Sequence, residues 1–123
     1  MSAHRPVPPE ESAPFRNVAL LAAMKPSRMN LSLTNISALL ERMGDPQRRY
    51  PAVLVAGTNG KGSVTTYVSS VLRAAGLRVG TYYSPHIFRL HERIRLDGEE
   101  IPARELDSLI GIVRQRAHGI PLT

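Results

Sequence analysis

The feature that most constrains the fold of this chain is a glycine-rich loop, VAGTNGKGS at 55–63, set between two apolar segments. The segment before it, Ala52–Ala56, is short, branched and apolar at odd and even positions alike, as in a strand buried on both faces of a parallel sheet. In the segment after it, four apolar residues share one helical face: Val64, Val68, Val71 and Leu72. A strand, a glycine loop and a helix in this order predict the start of a βαβ unit.

A second strand over Leu77–Tyr83, after a helix stop at Gly76, completes this βαβ unit with a right-handed crossover. The pair Asp97-Gly98 predicts a β-hairpin. Flanking helices are expected from three sets of residues: Phe15–Met24; Ile36, Leu39, Leu40 and Met43; and Leu106, Leu109, Ile110 and Val113 after Pro102. We therefore predict an α/β fold with an incomplete parallel sheet of the P-loop type, because only two strands for that sheet are present.

The charge balance is basic, with 14 arginines and 2 lysines against 10 acids among 123 residues. The arginines are scattered rather than clustered with aromatic residues, which favours an anionic small substrate over nucleic acid. Cysteine is absent, so disulfides and thiolate catalysis are excluded, as expected of a protein in a reducing compartment. The apolar run at 18–24 is too short for a secretory signal or a membrane span. We expect a cytoplasmic protein with no membrane partner, a disordered tail at 1–14 and one domain over 15–123.

The loop departs from the pattern G-x-x-x-x-G-K-[ST]: Val55 replaces the first glycine, and Gly62 separates Lys61 from Ser63. The physical setting nevertheless suits phosphate, because backbone N–H groups at a helix start attract anions. Lys61 adds a charge that reaches terminal phosphates, and Ser63 adds a hydroxyl for phosphate or magnesium. The other interpretation, a plain glycine turn, is less favoured because strand, loop, lysine and helix occur in the right order.

Two further segments, Tyr82-Tyr83-Ser84-Pro85-His86 and Glu92-Arg93-Ile94-Arg95, follow the loop at set distances. Together with it they resemble the folylpolyglutamate synthase and dihydrofolate synthase family, a branch of the Mur ligase superfamily. The resemblance covers roughly residues 28–123. It implies the N-terminal part of a Mur ligase-like ATP-binding domain, truncated on its C-terminal side.

The function implied by the resemblance is ATP-dependent amide formation. The enzyme would add L-glutamate to dihydropteroate, to folylpolyglutamate, or to both, through an acyl phosphate and with ATP and Mg²⁺. Lys61 would be catalytic, and the ATP-binding residues would be Gly57, Thr58, Asn59, Gly60, Lys61, Gly62 and Ser63. Magnesium would be held by Ser84, with Ser63 as a second candidate.

The resemblance also implies a pteroate pocket, to which two segments contribute: Asn30, Leu31, Ser32 and Leu33, and then Pro121, Leu122 and Thr123. The family usually has aspartate and glycine where this chain has Asn30 and Ser32, so Ser32 can equally be a helix N-cap. His86 is expected to be a loop residue rather than a general base. Three arginines could attract an anionic substrate or form the solvated face of the hairpin: Arg89, Arg93 and Arg95.

No acid after the loop follows a buried strand, where a magnesium carboxylate would be expected. We therefore expect the missing C-terminal part of the enzyme to supply it, and the chain alone to be inactive. Two alternatives stay open: another Mur-type ligase acting on a cell-wall precursor, and a nucleotide-binding module without ligase activity. The sequence decides neither which glutamate is added nor the oligomeric state.

Overall fold

The computed structural model describes residues 15–24, 32–85 and 88–121. The predicted tail at 1–14 lies outside these residues. The helices are α1 (Arg16–Ala23), α2 (Thr34–Arg42), α3 (Lys61–Ala74) and α4 (Ala103–Arg116), and the strands are β1 (Gly80–Tyr82), β2 (Ile94–Leu96) and β3 (Glu99–Glu100). Single 3₁₀ turns occupy Pro46–Arg48 and Leu90–Arg93. The described chain is thus α/β, with helices outnumbering short strands.

The sheet is antiparallel throughout, in the order β1-β2-β3. The predicted hairpin joins β2 to β3, and positive φ angles at Asp97 (52°) and Gly98 (90°) suit its two-residue turn. Asp97 also ties the turn to β1, because its backbone N–H donates to the Val79 carbonyl (2.8 Å) and its carboxylate accepts from the Val79 N–H (2.7 Å). The hairpin prediction is confirmed.

The prediction of a parallel sheet is wrong for the described residues. The segment 51–57 has no regular secondary structure, and β1 pairs with β2 instead of with this segment. Val53 is 70% exposed and Leu54 91% exposed. A strand exists only through hydrogen bonds to a neighbouring strand. Among the described residues no strand pairs with 52–56, so the segment remains outside the sheet.

The predicted helices form and end close to their sequence signals. Leu39 is the buried residue of α2, and Gly76, with φ of 84°, follows the end of α3. The apolar face of α3 is less covered than expected, because Val64 and Val71 are exposed while Ser69 is buried. In α4 the predicted face is buried at its centre and exposed at Leu109.

The main core lies between α1, α4 and the hairpin. Ile101, Leu106 and Ile110 are buried there, and three half-buried residues pack against them: Val18, Leu90 and Ile94. Burial of one such side chain contributes about 1.5–3 kcal/mol, so this cluster holds the two helices on the hairpin. No described helix is both long and apolar enough to cross a membrane. The cytoplasmic location stays a prediction.

The start of α1 is fixed to α4 by one carboxylate. Asp107 accepts hydrogen bonds from the backbone N–H groups of Asn17 (2.8 Å) and Val18 (3.0 Å), and from the Asn17 side-chain amide (3.0 Å). Arg114 donates to the Asn17 side-chain oxygen at 2.8 Å. Helix α1 has no cap from its own N-cap residue, Phe15, so Asp107 takes over that role from 90 positions away.

Candidate phosphate-binding site

The glycine loop leads directly into α3, which begins at Lys61 after the N-cap residue Gly60. Gly60 has φ of 77°, a left-handed conformation that glycine adopts at no steric cost. Gly60 has no side chain with which to cap this helix. The first backbone bond at its start runs from the Val64 N–H to the Gly60 carbonyl, at 3.0 Å.

The N–H groups of residues 61–63 consequently have no hydrogen-bond acceptor within the described part of the chain. Free N–H groups in the first turn of a helix, at the positive end of its dipole, are the groups that bind phosphate in proteins. A side chain added at Gly62 would meet nothing within 4 Å, so the approach to these groups is open. The loop therefore fits an anionic ligand.

Lys61 is folded over the loop. Its ammonium donates to the carbonyls of Gly57 (2.6 Å) and Thr58 (3.3 Å). An ammonium group has three donors, so one remains for a ligand while both carbonyls are still bound. The side chain is exposed and meets no carboxylate in the described residues, which leaves its charge available to an anion.

The strand end that carries Ser84 lies close to the loop. Ser84 is exposed in a bend directly after β1, and its peptide bond to Pro85 is cis. The preceding residue, Tyr83, contacts Thr66 of α3, with 3.1 Å between the two hydroxyl oxygens. An open cavity of about 420 Å³ lies between the helix and the strand end and is lined by Gly62, Ser63, Thr66, Tyr67 and Tyr83.

Hydroxyl groups are the metal ligands that this site offers. In the ranges that the structure describes, no three His, Asp or Glu side chains lie close enough together to hold a metal ion. The nearby acid Glu92 already accepts from the backbone N–H groups of Phe88 (3.3 Å) and Arg89 (3.0 Å). A divalent cation here would therefore be held mainly by phosphate oxygens, with Ser84 or Ser63 as hydroxyl ligands.

The two candidate substrate segments approach each other. The Asn35 side-chain amide donates to the Pro121 carbonyl at 2.6 Å, which brings Pro121 to the start of α2, beside Leu33 and Ser32. Leu33 is 75% exposed. The remaining predicted substrate residues lie outside the described residues: Asn30, Leu31, Leu122 and Thr123.

Ser32 bonds to the start of α2 as a capping residue would, but it lies one residue before the N-cap position. Its hydroxyl oxygen accepts from the Thr34 N–H at 3.1 Å, whereas the N-cap position belongs to Leu33. The bond nevertheless satisfies one N–H group at the start of α2, as a capping side chain would.

Arg95 of the hairpin and two arginines just before it, Arg89 and Arg93, are all engaged with neighbouring side chains. Arg95 lies 3.0 Å from Glu100, its cross-strand partner, and Arg89 lies 3.9 Å from the same carboxylate. Arg93 donates to the Tyr82 hydroxyl at 3.2 Å. The structure thus supports the interpretation of these arginines as a partly exposed hairpin face. His86 lies outside the described residues.

The sequence did not single out Thr66 and Tyr83 as functional residues. They are 17 positions apart, on a helix and at a strand end, and no periodicity connects them. The structure brings them together beside Gly62. The one available signal was that Tyr83 precedes Ser84 in a segment already of interest.

No protein-family model matches the chain. Among curated proteins, the dihydrofolate synthase/folylpolyglutamate synthase of Mycobacterium tuberculosis is 42% identical over 98 residues, which are 74% of this chain and 20% of that protein. The Escherichia coli protein of the same name is 36% identical over 95 residues, 76% of this chain and 22% of that protein. The chain thus spans about a fifth of the length of these curated relatives.

Solved structures agree with the sequence comparison. A bifunctional folylpolyglutamate synthase/dihydrofolate synthase from Yersinia pestis CO92 matches with a TM-score of 0.80 and 32% identity, over 91% of this chain and 28% of that one. The Yersinia pestis enzyme complexed with AMPPNP and Mn ion matches with a TM-score of 0.75 and 33% identity, over the same shares of the two chains. At these identities the likeness extends beyond the fold to homology.

Proposed function

Because this chain is homologous to dihydrofolate and folylpolyglutamate synthases, we propose that it forms the ATP-binding part of a ligase that adds L-glutamate to dihydropteroate, to folates, or to both. The observation that carries this proposal is the start of α3, where the N–H groups of residues 61–63 have no acceptor among the described residues and the ammonium of Lys61 lies over the same loop. The names of the relatives favour this function over a ligase for cell-wall precursors.

The proposed reaction activates a carboxylate, which is a poor acylating agent at neutral pH. A carboxylate oxygen of the pteroate or folate attacks the γ-phosphorus of ATP, ADP leaves, and an acyl phosphate forms. The amine of glutamate then attacks the carbonyl carbon, phosphate leaves, and an amide bond is made. Lys61 and the N–H groups of 61–63 would stabilise charge on the transferred phosphoryl group. Gly57, Thr58 and Asn59 would shape the loop around the phosphates.

A divalent cation, when bound, supplies charge neutralisation between phosphate oxygens. Within this chain its ligand would be Ser84, with Ser63 as a second candidate. The relative complexed with AMPPNP and Mn ion supports the pairing of a nucleotide with such a cation. Since the described residues hold no acidic cluster, we propose that the chain alone binds nucleotide without completing ligation.

The pteroate part of the substrate is assigned to the segments that meet at Asn35 and Pro121. The described residues of this site would be Ser32, Leu33 and Pro121, and the exposed side chain of Leu33 suits contact with a flat aromatic group. Asn30, Leu31, Leu122 and Thr123 belong to the same proposal.

Replacement of Lys61 by alanine tests the phosphate site. We expect the affinity for ATP to fall at least about tenfold, the usual effect of losing a hydrogen bond to a charged group. Isothermal titration of the purified 123-residue chain measures this. Lys25→Ala, at the only other lysine in the sequence, removes the same charge and should bind ATP as the parent does. Equal affinity in the Lys61 and Lys25 variants would remove Lys61 from the site.

A further inference from the structure

Two hydroxyl groups connect the end of β1 to the glycine loop. The Thr66 hydroxyl donates to the Gly62 carbonyl at 2.9 Å and lies 3.1 Å from the Tyr83 hydroxyl. A hydroxyl has one proton, and that of Thr66 is used on Gly62, so the Tyr83 hydroxyl must be the donor to Thr66. The hydrogen bonds therefore run in one direction, from Tyr83 to Thr66 and from Thr66 to Gly62.

Tyr83 is anchored at its backbone as well. Its N–H donates to the Arg93 carbonyl at 2.7 Å, which extends the pairing of β1 with β2 by one residue. The residue is half-buried, with its ring against α3 and its backbone held by the hairpin. Both ends of the side chain are thus fixed, and the next residue in the chain is Ser84.

The adjacent tyrosine provides a contrast. Tyr82 is 63% exposed, and its hydroxyl accepts a hydrogen bond from Arg93 of the hairpin. Successive side chains in a strand point to opposite faces. Tyr83 therefore points toward α3, and Tyr82 points away from it. The two residues have the same chemistry, but Tyr83 is the one that contacts the helix carrying the loop.

We propose that Tyr83 is a positioning residue of this site: through Thr66, its hydroxyl sets the distance between Ser84 and the glycine loop. The inference rests on the proposed function, in which Ser84 holds a divalent cation on the phosphates of the nucleotide. A nucleotide bound with its cation needs both Ser84 and the loop in place. A nucleotide without the cation needs the loop alone. Tyr83 therefore matters for the metal-bound nucleotide.

The test compares ATP with Mn²⁺ and ATP with EDTA, each titrated into the 123-residue chain. We expect Tyr83→Phe to weaken the binding of Mn²⁺–ATP about fivefold, as the loss of one hydrogen bond would, and to leave the binding of ATP in EDTA unchanged. The Mn²⁺ electron paramagnetic resonance signal should show correspondingly less bound metal. Tyr82→Phe is the matched control, and it should bind both forms as the parent does.

Thr66 provides an independent test. Thr66→Val removes the middle hydroxyl with little change of shape and should reproduce the effect of Tyr83→Phe, whereas Thr66→Ser should retain parental binding. In the Tyr83→Phe, Thr66→Val double variant the two losses of Mn²⁺–ATP affinity should not add, since both substitutions interrupt the same series of hydrogen bonds. Thermal unfolding of each variant monitors the fold.

Three results count against the inference. Parental Mn²⁺–ATP affinity in Tyr83→Phe would overturn it and leave the phosphate site intact. Equal losses with Mn²⁺ and with EDTA would overturn it too, because Tyr83 would then act on the loop and not on the cation. A parent chain that binds ATP under neither condition would overturn the proposed function and this inference with it.

Discussion

At the scale of single residues, two glycines of the loop have different physical reasons to be glycine. Gly60 has φ of 77°, which a residue with a side chain adopts only at a cost of about 1–2 kcal/mol. Gly62 lies in the first turn of α3 and has open space where a side chain would be. In a helix interior glycine is less stable than alanine by roughly 0.5–1 kcal/mol. Gly62 therefore lowers stability without any gain in the free chain.

Gly62→Ala should accordingly stabilise the fold by up to about 1 kcal/mol while weakening the binding of ATP, because the new methyl group occupies the open approach to the N–H groups. Urea unfolding measures the first effect and calorimetric titration the second. Gly60→Ala is the comparison, and it should change stability with the opposite sign. Undiminished ATP affinity in Gly62→Ala would mean that the ligand does not need this space.

At the scale of elements, the charge of one side chain, Asp107, helps to hold the start of α1. Hydrogen bonds, first from the Val18 N–H and then from Asn17, lower the pKa of Asp107 below its ordinary value of 3.8, against the opposing effect of desolvation. A carboxyl whose pKa is lower in the folded state stabilises that state when ionised. Its contribution is complete above pH 3.8 and is lost as the pH falls through the lower folded value.

Asp107→Asn should therefore release α1 at neutral pH, seen as faster hydrogen exchange of the Asn17 and Val18 amides. The difference in stability between the parent and this variant should shrink as the pH falls below 3.8, where the parent loses the same charge. Glu105→Gln removes an exposed charge from the same helix and should leave the α1 amides protected. If α1 exchanges equally in the two variants, Asp107 does not hold it.

At the scale of the whole molecule, apolar side chains are unevenly covered. Leu106 is 5% exposed in the core between α1, α4 and the hairpin, whereas Leu54, before the glycine loop, is 91% exposed. Burial of apolar side chains therefore stabilises the chain mainly in the core between α1, α4 and the hairpin. The segment before the glycine loop instead has apolar side chains that remain in contact with water, at Val53 and Leu54.

Two identical substitutions should show this asymmetry. Leu106→Ala should cost about 2–5 kcal/mol of unfolding free energy, the usual range for a buried leucine. Leu54→Ala should change it by less than about 0.5 kcal/mol, as is usual at the surface. Denaturant titrations of the two variants against the parent measure both values. A cost above about 1 kcal/mol at Leu54 would show that this segment is packed in solution.

Features set by neighbouring residues were predicted correctly from the sequence. Gly44 and Gly76 mark the ends of α2 and α3, and Asp97-Gly98 marks the hairpin turn, because each needs a positive φ at a particular position. The helix predicted after the loop also forms, although it begins at Lys61, within the loop segment 55–63. The phosphate-binding role of the loop stays a prediction.

Features that join distant residues were not predicted. The antiparallel partner of β1, the contact of Tyr83 with Thr66, and the cap that Asp107 places on α1 connect positions 12 to 90 residues apart. The apolar side chains of Val53 and Leu54 predict that this segment favours burial. They do not predict which residues would pack against it. For this reason the parallel pairing inferred from that pattern is not found among the described residues.

The carboxylate that holds α1 has a consequence for the order in which the chain can fold. Asn17 emerges from the ribosome 90 residues before Asp107, which at about 5–20 residues per second is a delay of several seconds. The helix is only 8 residues long, too short to be stable in water alone. Helix α1 is therefore synthesised well before the residue that holds its first turn, and it docks only after α4 has been made.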